Sequence, residues 1–183
     1  MTARVFRALR GDERGVALVE FAIILPVMLV LYLGGVQLQD AMACKRKVTI
    51  TARAAVDLIA QNATGKMTKA EIQSNLVAAS QVMQPYAAGD SQIRVSEVST
   101  DATGNTKVVW SQGLSIAPYA PGQAIDIPAA MKTPNATFLL AQVNYPYRPP
   151  TSFGQFGPMT LGDTLWMVPR NTDQIACSDC SLP

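Results

Sequence analysis

Two cysteines near the C-terminus have a spacing that could carry chemistry. Cys177 and Cys180 form a C-x-x-C motif, and Cys44 is the third cysteine of the chain. Such a motif can bind zinc, exchange disulfides or form a structural disulfide. Zinc would need two further ligands, and the chain contains no second C-x-x-C motif and no histidine. A thioredoxin-like site would follow an early strand, whereas this motif lies in a tail that contains serine and proline.

A structural disulfide between Cys177 and Cys180 is the preferred interpretation if this part of the chain lies in the periplasm, because disulfides persist in oxidising compartments. The bond would pin the C-terminal tail locally. Cys44 would then remain as a thiol, either buried in a helix interface or accessible. The sequence predicts no metal site.

The rest of the composition argues against catalysis. The chain has no histidine, which removes the commonest general base and the catalytic triads that depend on it. Phosphate-binding glycine loops are also absent from the sequence. The acids after the first 62 residues are scattered: Glu71, Asp90, Glu97, Asp101, Asp126, Asp163, Asp173 and Asp179. We therefore expect no enzyme and no cofactor.

The net charge is too small to indicate a nucleic-acid partner. The chain has 15 basic and 13 acidic residues in 183, and no basic run exceeds three residues. Only 15% of the residues are charged and 49% are hydrophobic, so the hydrophobic residues must be located along the chain.

Most of the hydrophobic excess lies in residues 16–38, which we call the apolar segment; it contains one acid, Glu20, and one proline, Pro26. As a helix it would be about 35 Å long, enough to cross a hydrocarbon core of about 30 Å. Basic residues flank it on both sides in nearly equal excess, so charge alone does not set its orientation. A cleaved secretory signal is the alternative, but the segment is too long and lacks a good cleavage site.

Glu20 can be interpreted in two ways. It could lie near enough to the lipid headgroups for its carboxylate to reach them. Alternatively, cleavage after Gly15 would give Val16 a new α-ammonium group, which could pair with Glu20 of a neighbouring subunit. Such a pair would offset the cost of desolvating both charges and would set the register between helices.

The sequence around Gly15, Val16, Glu20 and Phe21, with a short basic leader and an immediate apolar run, resembles the processing site of type IV pilins and pseudopilins. Over residues 10–60 the chain resembles the TadE-like minor pseudopilins of the tight-adherence (Tad/Flp) pilus system. The resemblance implies a prepilin peptidase that cleaves between Gly15 and Val16, a cytoplasmic leader, and a role for Glu20 and Phe21 in subunit assembly. It also implies three kinds of partner: inner-membrane lipids, other pilins or pseudopilins, and the Tad assembly machinery.

The predicted fold class is α+β, with a long transmembrane and stem helix, a small helix and an antiparallel-sheet head. Three- and four-residue spacing continues the helix beyond the membrane, through Ala41, Cys44, Val48, Thr51, Ala52, Ala55, Leu58 and Ile59. Thr68 and Glu71 form a capping-box signature for the second helix. Alternating residues then predict about four strands, with a turn over residues 101–105. The predicted regions are a leader (1–15), a membrane and stem helix (16–62) and a periplasmic head (63–183).

Two functions of different classes follow. The first is a minor pseudopilin of a Tad pilus, processed after Gly15 and residing in the bacterial inner membrane or the pilus. The second is a permanently anchored periplasmic protein whose head binds a ligand or serves as a scaffold. The N-terminus of the mature protein distinguishes them, because only the first function requires a start at Val16.

Overall fold

The computed structural model describes residues 14–149 and 157–180. Its main elements are helix α1 (Arg14–Ala60), helix α2 (Lys69–Ser80) and strands β1 (Gln92–Thr100), β2 (Thr106–Leu114), β3 (Thr137–Tyr147) and β4 (Met159–Met167). Short 3₁₀ turns lie at Gln81–Met83, Ala88–Asp90 and Ala129–Met131. The predicted leader lies outside the described residues except for its last two.

The described chain forms two compact units that divide helix α1 after Asp40. The first unit contains the helix up to Asp40, with residues 149 and 157. The second contains residues 41–148 and the described residues from 158 onward. We call residues 41–60, the part of α1 that belongs to the second unit, the stem segment.

Helix α1 is continuous over 47 residues and contains Pro26. The missing N–H of Pro26 removes one backbone hydrogen bond within the helix. Helix α2 begins as the capping-box signature predicts: Thr68 accepts a hydrogen bond from the N–H of Glu71, and Glu71 accepts one from the N–H of Thr68. These two bonds satisfy backbone donors that the first helical turn leaves unpaired.

The four strands form one antiparallel sheet in the order β2-β1-β3-β4. Strands β1 and β2 are joined by the predicted turn, where Gly104 has a φ of +83° and the side chain of Asp101 accepts hydrogen bonds from Thr103 and Asn105. These bonds, with that from the Thr103 hydroxyl first among them, lower the pKa of Asp101 well below its usual range. The turn therefore fixes the register of the first hairpin.

The main core lies on one face of this sheet, where the stem segment and α2 pack. Alternate residues of β1 and β3 face it, as the two-residue period of a strand requires. The buried hydrophobic residues of this cluster include Cys44, Val48, Ala52, Ala55, Val56, Ile59, Ile72, Leu76, Met83, Ile93, Val95, Trp110, Leu139, Ala141, Val143 and Ile175. The predicted helical spacing of the stem segment is confirmed at most of its positions, but Leu58 is 40% exposed.

The other face of the sheet carries a smaller core of Val98, Phe138, Leu140 and Ile127. Ile127 comes from the proline-rich connection between β2 and β3. This long connection therefore covers part of the second face of the sheet. Together the two faces establish the predicted α+β class: a long helix, a short helix and a four-stranded antiparallel sheet among the described residues.

Candidate functional site

The predicted cleavage position lies in the described part of α1. The structure describes this helix from Arg14 onward, and both Gly15 and Val16 are exposed. A Cβ atom added to Gly15 would meet no other atom within 4 Å. The peptide bond between Gly15 and Val16 is therefore accessible to another molecule.

Glu20 lies one helical turn after Val16, so the two residues share one side of α1. Glu20 and the neighbouring Phe21 are both exposed, Phe21 by 62%. Glu20 forms no salt bridge with any side chain that the structure describes. Its carboxylate is consequently accessible to a group from another molecule.

The apolar segment presents large hydrophobic side chains on all sides. Every residue from 15 to 32 is exposed, with Leu18 at 72% and Tyr32 at 68%. By length and composition, α1 is the one helix among the described residues that could cross a membrane. A helix that is hydrophobic all round needs an apolar environment such as lipid or other helices. This single apolar helix fits a single-pass membrane anchor.

The C-terminal tail contains the C-x-x-C motif. Cys177 and Cys180 are joined as a disulfide, with their Cα atoms 5.4 Å apart. Between them, Asp179 accepts hydrogen bonds from the N–H of Lys69, which lies 3.0 Å from each carboxylate oxygen. The ligand atoms of Cys177, Asp179 and Cys180 lie within 4.8 Å of one another, but sulfurs bonded to each other are not thiolate ligands. In this form the motif holds the tail against the start of α2.

Glu97 is a buried acid whose role the sequence did not indicate. Its side chain accepts hydrogen bonds from the indole N–H of Trp110 and from the N–H of Ile175, the latter at 2.9 Å. Glu97 is 1% exposed, and burial raises its pKa, although these two hydrogen bonds oppose the shift. The group ties the tail to β1 and β2. The sequence pattern could have indicated this burial, because Glu97 follows Ile93 and Val95 at the two-residue spacing that faces the core.

A polar cluster joins the stem segment to β4. Thr49 donates a hydrogen bond to Asp163, and Lys45 lies 3.7 Å from the same carboxylate and donates to the carbonyl of Gly162. Partial burial would raise the pKa of Asp163. The hydrogen bonds from Thr49 and the N–H of Thr164, together with the charge of Lys45, outweigh burial and lower it. Lys45, one of the basic residues that follow the apolar segment, therefore contacts β4.

The end of α1 is held by the tail. The N–H of Arg170 donates to the carbonyl of Ala60 at 3.0 Å, and Asn171 donates to the carbonyl of Gln61 at 2.9 Å. The guanidinium group of Arg170 also pairs with Asp57. These contacts satisfy carbonyl groups that the last turn of a helix leaves without partners.

Comparison with known proteins identifies the N-terminal region. Residues 15–57 match the family model described as TadE-like protein. No curated protein and no solved structure matches the chain significantly. The matched residues begin at the predicted cleavage position and include the apolar segment and most of the stem segment. Residues 15–57 thus form a TadE-like region, and the resemblance to the TadE-like proteins of the Tad pilus system is confirmed there.

Proposed function

We propose that this chain is a minor pseudopilin that takes part in assembly of a Tad (Flp) type IV pilus. The observation that carries the proposal is the TadE-like match over residues 15–57, which includes the exposed and hydrophobic residues 16–32 of α1. The protein has an assembly role and catalyses no reaction itself. Its partners are inner-membrane lipids, other pilins or pseudopilins, and the Tad assembly machinery.

Prepilin peptidase cleaves the chain between Gly15 and Val16. The exposure of both residues supports this step, because a protease needs access to the bond that it cleaves. The leader (1–15) lies in the cytoplasm, residues 16–62 form the membrane and stem region, and the head (63–183) lies in the periplasm. In that compartment the disulfide between Cys177 and Cys180 is stable.

Assembly uses the new α-ammonium group of Val16 and the carboxylate of Glu20. In a low-dielectric environment either charge alone costs several kcal/mol, so pairing between neighbouring subunits favours one register. The exposure of Glu20 and its place one turn from Val16 support this pairing. The other contact is packing between the hydrophobic surface of α1, which includes Phe21, and the hydrophobic surfaces of other pilin helices.

The first experiment determines the mature N-terminus. Protein extracted from membranes of peptidase-positive cells is expected to begin at Val16, and protein from peptidase-deficient cells at Met1. Gly15→Leu should block cleavage, whereas Gly34→Ala, a matched change in the same helix, should not. A Met1 start in peptidase-positive cells would contradict the proposal and favour the permanently anchored periplasmic protein.

The second experiment tests the charge pair. Glu20→Val should leave membrane insertion intact, since it removes a charge from an apolar segment, but it should reduce incorporation into pili. Glu20→Asp keeps the charge and should retain part of the incorporation. Both quantities are measured by immunoblotting of membrane and sheared-pilus fractions. Normal piliation with Glu20→Val would contradict the pairing mechanism.

A further inference from the structure

A groove runs between the exposed side of the stem segment and the last residues of β4. Its volume is about 490 Å³. Aliphatic side chains form much of its wall, and three charged residues lie among them. The lining consists of Ile50, Ala54, Leu165 and Met167, with Arg53, Asp57 and Arg170. We call this the α1–β4 groove.

The charges in the α1–β4 groove do not cancel. Asp57 is already engaged by the guanidinium group of Arg170 and by Gln61, whose amide nitrogen lies 2.7 Å from the carboxylate. Arg53 is exposed and forms no salt bridge with any side chain in residues 14–149 or 157–180. The groove therefore combines an aliphatic wall with one guanidinium group whose charge is not neutralised.

The surface continues along the stem segment beyond the groove. Met42 and Ile50 are 48% and 49% exposed, and Arg46 is exposed between them. With Arg53, these residues fall on one side of the helix, because their spacings of four, four and three residues follow the helical repeat. Exposed aliphatic residues interspersed with arginine are typical of protein interfaces, in which arginine is enriched and lysine depleted.

We propose that the α1–β4 groove docks a helix of a different pilin subunit, one that carries carboxylates among its apolar residues. This inference rests on the proposed function and names a partner for the same assembly. Carboxylates on the docked helix pair with Arg53 and Arg46, and its apolar side chains enter the groove beside Ile50. This is helix-in-groove recognition, in which an amphipathic helix lays its apolar side against a hydrophobic groove.

Charge argues against a second copy of this chain as the occupant. The stem segment contains four basic residues, Lys45, Arg46, Lys47 and Arg53, against the single acid Asp57. Packing two stem segments together would place like charges opposite one another, which opposes association. A lipid surface is also a poor fit, because Arg53 lies among aliphatic side chains and beside the carboxylate of Asp57.

The test is photo-crosslinking of the full chain in cells that assemble the pilus. Benzoylphenylalanine replaces Ile50 in the groove or, as a matched control, Val109 on the opposite edge strand, which is 44% exposed. The Ile50 position should crosslink to one other pilin subunit, through a peptide of net negative charge identified by mass spectrometry. The Val109 position should not give that product.

Charge variants then test the pairing. Arg53→Glu should reduce the crosslink about tenfold, a change of about 1.4 kcal/mol in binding. Arg53→Gln should reduce it less, and Lys107→Glu, a charge reversal on β2, should not affect it. Replacing the crosslinked carboxylate of the partner by arginine should restore the product in the Arg53→Glu background.

Crosslinks from the Ile50 position that form only with a second copy of this chain, or only with lipid, would overturn the inference. The absence of any crosslink would also overturn it, as would a crosslink whose yield neither Arg53 variant changes. The mature N-terminus and the pili are examined in the same cells. A Val16 start with normal pili but no crosslink would overturn the docking site alone. A Met1 start would overturn the proposed function as well.

Discussion

The apolar segment and the stem segment belong to one helix but have opposite surroundings. Leu18, Val27 and Tyr32 of the apolar segment are at least 59% exposed, whereas Cys44, Val48 and the other inward-facing residues of the stem segment are at most 1% exposed. The apolar segment is hydrophobic all round, which suits lipid or other helices. The stem segment has one side of hydrophobic residues, which packs against the sheet, and an opposite side with charged residues, which suits water. What each segment contacts therefore depends on how its side chains are distributed around the helix, and not on how many of them are hydrophobic.

The largest expected effect comes from placing a charge on the inward side of the stem segment. Val48→Asp should reduce the free energy of unfolding by about 4 kcal/mol or more, because it buries an unpaired carboxylate against the sheet. Leu58→Asp, a matched change on the exposed side, should alter it by less than about 1 kcal/mol. Tryptophan fluorescence during denaturant unfolding of the detergent-solubilised chain measures both. Equal effects would remove the distinction between the two sides.

The same change in the apolar segment should affect insertion instead of folding. Val30→Asp should make membrane insertion less favourable by about 3 kcal/mol, the cost of an acid at the centre of a spanning helix. Unfolding of the head should change by less than about 0.5 kcal/mol, as for distant independent sites. Alkali extraction of membranes measures insertion, with Val30→Leu as the control. Complete retention of the Asp variant in membranes would contradict a lipid environment.

Loss of the C-terminal disulfide should weaken the head by an intermediate amount. Replacing both Cys177 and Cys180 by serine should reduce the free energy of unfolding by about 2 kcal/mol, the chain-entropy value for a very short loop. A reducing agent should destabilise the wild-type protein equally and leave the double variant unchanged. Alkylation of denatured wild-type protein should find two thiols fewer than after reduction. Two reactive thiols at Cys177 and Cys180 in protein from an oxidising periplasm would contradict the bond.

The smallest effect is a pH dependence in which two acids act in opposite directions. Asp163 has a lowered pKa, so its contribution to stability is present above its unfolded pKa of 3.8 and is lost as the pH falls through its folded pKa. Glu97 has a raised pKa, so its contribution to stability is complete below its unfolded pKa of 4.5 and is lost as the pH rises through its folded pKa.

Melting temperatures from pH 3 to 7 test these two signs. The free energy of unfolding of the wild type should exceed that of Asp163→Asn by less than about 1 kcal/mol, and this difference should shrink at low pH. The corresponding difference in the free energy of unfolding between wild type and Glu97→Gln should instead shrink as the pH rises. Parallel trends for the two variants would contradict the opposite signs.

Local patterns predicted much of the fold. The capping box at Thr68 and Glu71, the turn at residues 101–105 and the helical spacing from Cys44 to Ile59 each depend on neighbours within a few residues, and all appear in the structure. The spacing also predicts Leu58 on this side of the helix, but Leu58 lies on the exposed side because each residue turns the helix by about 100° and Ile59 faces the core. Glu97 and Asp163 were not recognised, since their partners lie 13 to 114 residues away in the sequence.

Composition and short-range periodicity were sufficient to predict the long apolar helix, its single acid at Glu20 and the α+β class. The TadE-like resemblance likewise follows from contiguous residues and is confirmed over residues 15–57. Other features follow from long-range packing: the tail closes on α1 through Arg170 and on the sheet through Glu97, and Arg53 faces a groove beside β4. These features depend on which side chains meet when distant strands and helices pack, and no local pattern encodes that geometry.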